Sequence, residues 1–232
     1  MISDKKKLSG IQRPKLIVMP FQPGAGQSFD GMGLGIHFFF GNLFGVHGGL
    51  VECWFGWRVK KIFPEPRLLM DYCRGSSPFP DIQQLGQREK VRFWLEGRYR
   101  QKGEKILLDL VLHDTEEGMP ASKKHLVLAL DGGLMEGRTE FFDWLESCGL
   151  AFVGVEKVLW QEQITDRGLD FLGRGLETLY LNYIQGEAPD KAVIDLSWFD
   201  RSVEASKNSY LAQDLKGWGL YKNGQYKSAK KA

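Results

Sequence analysis

The sequence predicts a mixed α/β chain: an α/β (α+β) mixed sheet packed with helices, followed by an all-α tail. Three observations carry this. From Trp94 to Leu112 (WLEGRYRQKGEKILLDLVL), apolar and polar residues alternate on both sides of Gly103, as two half-buried antiparallel strands joined by a tight turn require. From Lys15 to Val46 a short apolar run, a Gly/Pro loop and a helical spacing follow one another. From Thr139 onward the apolar period becomes helical and stays so.

The elements follow in order. Residues 1–14 read as a flexible arm. Lys15 to Phe21 (KLIVMPF) reads as a buried strand, and Pro23, Gly24 and Gly26 mark a loop after it. Asp30 is the expected N-cap of a helix to about Val46, with Met32, Ile36, Phe39, Phe40, Leu43 and Phe44 on its spacing. Glycines at 31, 33, 35, 41 and 45 weaken that helix by about 1 kcal/mol each relative to alanine, so close packing must hold it. Leu50 to Ile62 reads as a strand, Leu68 to Tyr72 as a helical turn, and Asp81 as the cap of a helix to about Lys90. After the hairpin, His125 to Leu130 is a further strand. Thr139 is expected to cap the next helix, Val153 to Ile164 to form another, and Asp166 to cap a third running to about Ile184. Lys191 to Lys207 and Tyr210 to Lys222 complete the tail. The expected organisation is an α/β domain over 15–158 and a helical region over 159–232.

Composition narrows the function. With 31 basic and 29 acidic residues in 232, the chain offers no broad field for nucleic acid or anionic lipid. Three cysteines, Cys53, Cys73 and Cys148, form no CxxC pair, which fits a reduced, cytoplasmic setting. No apolar stretch is long enough to span a bilayer, and the N-terminus has no signal-peptide core. No membrane insertion and no nucleic acid are expected, and the oligomeric state is not readable.

The first half resembles the N-terminal domain of TolB and the TolB-like domains of bacterial regulators. The carrying residues are Val18, Met19, Pro20 and Phe21; Phe29, Asp30 and Gly31; Leu95, Glu96, Gly97, Arg98 and Tyr99; and Gly103, Leu108, Asp109, Leu110 and Asp114. The match covers about residues 15–155. The resemblance implies a mixed sheet packed on helices, an interaction role and no catalytic residue. The tail resembles tetratricopeptide repeats, through Gly217, Gly224, Tyr226 and Ala229, with Phe199 and Ser202 matching the preceding unit. Small residues at 217 and 229 are expected to let helices approach, with Tyr226 filling the gap between them. The array is expected to be irregular, and to be either a fragment of a longer array or closed by an unusual last helix.

Catalytic chemistry is sought and not found. Gly24-Ala25-Gly26-Gln27-Ser28 has Gln27 where a phosphate-binding loop needs lysine, and Phe21 where it needs its first glycine. The four histidines (His37, His47, His113 and His125) show no metal-ligand spacing. Asp114, Glu116 and Glu117 read as a solvated turn, and Cys53 as a buried thiol beside Trp54 and Phe55. No catalytic residue, metal or cofactor is expected. Trp54 and Trp57, three apart on one strand, face opposite sides, so one of them is a candidate exposed aromatic. In the last repeat-like helix, Leu211, Asp214, Trp218, Tyr221 and Lys222 lie on the spacing that faces the inner groove of such arrays. Asp214 and Trp218 stand where a carboxylate clamp would have lysine and asparagine, so an apolar or proline-containing segment is the expected ligand. The expected function is a non-enzymatic protein–protein interaction adaptor or scaffold of bacterial type. The alternative is a small-ligand or nucleotide sensor that uses the 22–31 loop.

Overall fold

The computed structural model describes residues 14–47, 52–55, 66–76, 82–103, 105–115, 121–129, 136–150, 162–185 and 193–231. The strands are β1 (Lys15–Val18), β2 (Gln22–Pro23), β3 (Glu52–Phe55), β4 (Phe93–Lys102), β5 (Lys105–Asp114) and β6 (Ser122–Ala129). They form one mixed sheet in the order β3-β1-β4-β5-β6, with β2 added to β4. β1 runs parallel to β3 and β4, and β4, β5 and β6 are antiparallel in turn. The helices are α1 (Met32–His47), α2 (Pro66–Cys73), α3 (Ile82–Glu89), α4 (Glu136–Ser147), α5 (Asp166–Gln185), α6 (Ser197–Ala205), α7 (Tyr210–Lys222) and α8 (Tyr226–Ala229).

The hairpin forms as its alternation predicts. Leu95, Gly97 and Tyr99 on β4 pair with Leu112, Leu110 and Leu108 on β5, and the register closes at Lys102 and Lys105. Gly103 turns the chain at φ 62°, a left-handed conformation that costs glycine little. All six of those residues are buried, whereas Arg98 and Arg100 point to water.

α1 lies between the sheet and α5, and glycines allow the fit. A Cβ at Gly33 would collide with the Phe21 carbonyl of the strand loop, and one at Gly35 with the Leu169 carbonyl of α5. The closest crossing is at Gly173, where a Cβ would strike the Gly31 carbonyl. Phenylalanines fill the remaining space: the Phe40 ring lies 5.6 Å from Phe21 and 4.7 Å from Phe141 of α4. Ring pairs of this kind add about 0.5–1.5 kcal/mol each beyond the burial of their area. The buried cluster continues without a break from Leu16, Leu95 and Leu108 of the sheet to Phe199, Leu211 and Leu215 of α6 and α7.

Several elements differ from expectation. α4 begins at Glu136, so Thr139 sits inside its first turn. Thr165, not Asp166, caps α5: its Oγ1 accepts from Gly168 N at 3.0 Å. Residues 162–165 are therefore not helical, and the rest of the helix expected over Val153–Ile164 lies outside the described residues. α6 is shorter than expected over Lys191–Lys207. At 193–196 the chain is open, because Ile194 exchanges two hydrogen bonds with the Asn223 side chain (2.8 and 2.9 Å) and so cannot make helical ones. β6 starts at Ser122, before the expected His125. The expected boundary at 158/159, the cap Asp81, most of the strand at 50–62, and the side chains of Cys53, Trp54 and Trp57 fall outside the described residues.

Candidate interaction surface

α7 carries the residues singled out from the sequence, and its two ends are pinned. At its start Ser209 Oγ accepts from Ala212 N at 3.1 Å, and Glu162 Oε2 accepts from Leu211 N at 3.1 Å. Burial holds the Glu162 carboxyl above its usual range, against the hydrogen bonds that favour its charge. At the other end Asn223 brackets Ile194. Lys216 pairs with Asp200 of α6 at 2.8 Å. The close approach along this helix falls at Gly219, where a Cβ would meet the Leu196 side chain at 2.5 Å.

The five expected residues do not share one exposed face. Leu211 is 5% exposed and packs in the core beside Ala212 and Leu215. Asp214, Tyr221 and Lys222 are exposed and Trp218 is half-buried. Lys222 Nζ stands 5.9 Å from the Trp218 ring. Tyr226 corrects a second expectation. It does not fill a gap between helices: it is 64% exposed, because α8 is one short turn with no buried residue. Its ring meets Tyr221, itself 58% exposed, edge-on at 5.4 Å. Trp218, Tyr221, Lys222 and Tyr226 thus make an aromatic and cationic corner at the end of α7.

The 22–31 loop is a closed structure. β2 pairs with Arg98 and Tyr99 of β4, and Gly24 N donates to Tyr99 O at 2.8 Å. The Tyr99 hydroxyl donates to Asp30 Oδ1 at 2.7 Å, and that oxygen also accepts from Met32 N at 2.9 Å. Gly31 N donates to Asp170 Oδ1 of α5 at 2.7 Å, and Arg174 Nε donates to the other Asp170 oxygen at 2.9 Å. The N–H groups that a phosphate would use at the α1 N-terminus are therefore donated to two of the chain's own carboxylates. Asp170 and Arg174 were not found from the sequence. Gly31, which donates to Asp170, is far away along the chain, and the i,i+4 spacing of Asp170 and Arg174 on α5 reads as an ordinary helix pair.

His37, His113 and His125 are the histidines whose side chains the structure describes. His37 is fully buried in α1, and burial pushes it down to about 3, so it stays neutral. His113 faces Glu96 at 3.0 Å and His125 faces Asp109 at 2.8 Å, each across neighbouring strands. Burial raises the Cys73 thiol well above its ordinary value, which favours the inert form. Among the described residues no three His, Cys, Asp or Glu side chains are grouped to hold a metal ion. None of the described helices is long and apolar enough to cross a membrane.

The fold is a mixed sheet with helices, of the α+β class. No family model matches the sequence and no curated protein matches it. A solved structure, the lipoprotein GNA1162 from Neisseria meningitidis, is similar at a TM-score of 0.32 and 12% identity, over 59% of this chain and 99% of that one. A likeness of that degree assigns neither fold nor function.

Proposed function

We propose that this chain is a non-enzymatic interaction module, an adaptor or scaffold that engages a protein or peptide partner through its helical tail. The observation that carries the reading is the corner formed by Trp218, Tyr221, Lys222 and Tyr226. Tyr221 and Tyr226 are exposed side by side next to the half-buried Trp218, and Trp and Tyr are the residue types enriched at the contact centres of protein interfaces. Two resemblances support it: the order of TolB-like elements over 15–155, and the tetratricopeptide-like run from Tyr210 to Ala229. Both kinds of domain are associated with interaction and neither brings a catalytic residue. A cytoplasmic setting belongs to the same reading. The ligand-sensor alternative is weaker, because Asp30 and Asp170 occupy the first N–H groups of α1.

The test is affinity capture from native cytosol with the full chain and with the double variant Trp218→Ala/Tyr221→Ala. The reading expects the variant to stay folded and to lose the captured partner. A folded variant that keeps the same partner rejects this face. Capture of nothing by the parent, with a clear thermal shift on adding a nucleotide, would put the sensor in its place.

A further inference from the structure

A second surface, separate from the α7 corner, lies where α5 meets α6. We propose that it docks an extended acidic segment of a protein partner. Arg167, Phe171 and Arg174 stand at i, i+4 and i+7 on α5, so they share one helix face. Trp198 and Arg201 come to the same face from α6. The Phe171 and Trp198 rings are 5.8 Å apart. The Arg167 guanidinium lies 5.4 Å from the Phe171 centroid. Arg201 stands over both rings, at 4.2 Å from Phe171 and 4.6 Å from Trp198. Arg174 lies 5.5 Å from Trp198. Cations and rings therefore alternate across the face: Arg167, Phe171, Arg201, Trp198, Arg174.

A guanidinium over a ring is attracted by the ring's quadrupole and keeps planar N–H donors that match an oxyanion. Arg174 is already engaged by Asp170. Arg167 and Arg201 are exposed, and among the described residues no carboxylate pairs with either. The acids nearby are used or turned elsewhere. Asp170 holds Arg174 and Gly31 N, Asp200 holds Lys216, and Asp166 accepts from Gln101 and from its own helix. Glu204, one turn beyond Arg201, forms no ion pair with it. The face thus presents two cations positioned in advance, with little side-chain freedom left to lose on binding.

Charge selects an anionic occupant, and the rings select its class. Single-stranded nucleic acid needs open aromatic faces on which bases stack. Here Phe171 is 8% exposed, Trp198 is half-buried, and arginines cover both rings. The net charge of +2 supplies no wider field for a phosphate backbone. An extended acidic peptide suits the site: carboxylates two residues apart fall on one side, roughly 7 Å from each other. Arg167 and Arg201 flank a single ring and can each take one.

The experiment measures fluorescence anisotropy of a short labelled peptide of alternating glutamate and serine, titrated with the full-length chain. The parent is expected to bind with an affinity that falls as salt rises. Arg167→Gln/Arg201→Gln is expected to weaken binding by about tenfold or more. Arg167→Lys/Arg201→Lys, which keeps the charge and loses the planar fork, falls between the two. Trp218→Ala/Tyr221→Ala leaves peptide binding unchanged, which separates this surface from the α7 corner. Absence of binding by the parent overturns the proposal. So does equal binding by the glutamine variant, or tighter binding of a labelled single-stranded oligonucleotide than of the peptide.

Discussion

The sheet and the helical tail are built by contacts of different reach. In the sheet, β4 and β5 are neighbours in sequence, and their ten-residue ladder follows from a local alternation and one turn glycine. In the tail, α5, α6 and α7 are each fixed by a partner distant in sequence. Gly173 meets Gly31, Ser202 Oγ donates to Gly168 O at 2.8 Å, Thr165 N donates to Ser206 Oγ at 2.9 Å, and Glu162 caps α7 from across a loop. Hydrophobic period and a turn glycine specify the hairpin of the first region. Matched small residues and satisfied buried polar groups specify the second. The proposed interaction role of the tail rests on this difference: α5, α6 and α7 are docked by tertiary contacts, and exposed side chains remain on their outer faces.

The sharpest way to break this comparison is at the α1–α5 crossing. Gly173→Val places a side chain against the Gly31 carbonyl, where two backbones meet and neither can give way. We expect it to destabilise the chain by about 3 kcal/mol or more in urea denaturation, at the upper end of overpacking effects. A loss under about 1 kcal/mol would mean that the helices do not approach as described.

Acid should then divide the two regions by sign. His37 is buried in α1, with a folded value near 3 against an ordinary 6.5. Between those values the unfolded chain binds the extra proton, so stability rises with pH across the window and is lost as pH falls from about 6.5 towards 3. His37→Phe should flatten that slope. Glu162, at the start of α7, is shifted the other way. Its folded carboxyl keeps its proton to higher pH than the unfolded one, so its contribution is greatest at low pH and declines as pH rises through the raised value. Glu162→Gln should remove that decline, with a smaller effect than His37→Phe because hydrogen bonds from Ser209 and Leu211 offset part of the burial. Urea midpoints measured across mildly acidic pH check both. Equal slopes in parent and variants would show that neither group titrates on unfolding.

Legibility followed the same division. The hairpin, β1 and the extents of α1, α5 and α7 could be read from the sequence, since Leu95 to Leu112 and Leu169 to Leu179 each carry a clean period. Element ends read less well, because tertiary hydrogen bonds set them: Asn223 opens the chain at Ile194, and Thr165 takes the cap expected of Asp166. Of the α7 residues singled out by spacing, Asp214, Tyr221 and Lys222 are exposed and Trp218 is half-buried, whereas Leu211 is buried, because helical spacing does not say which face a neighbour covers. Of the arginine and aromatic face, spacing carries only the α5 half, Arg167, Phe171 and Arg174; Trp198 and Arg201 join it only where two helices meet.

The central claim is that the sheet serves as a frame and the tail as the working surface. Hydrogen exchange on the full chain, with and without the partner retained in affinity capture, tests it most directly. The account predicts new protection at the ends of α7 and α8 and along the shared face of α5 and α6, with the 22–31 loop and the hairpin unchanged. Protection confined to the 22–31 loop would contradict it.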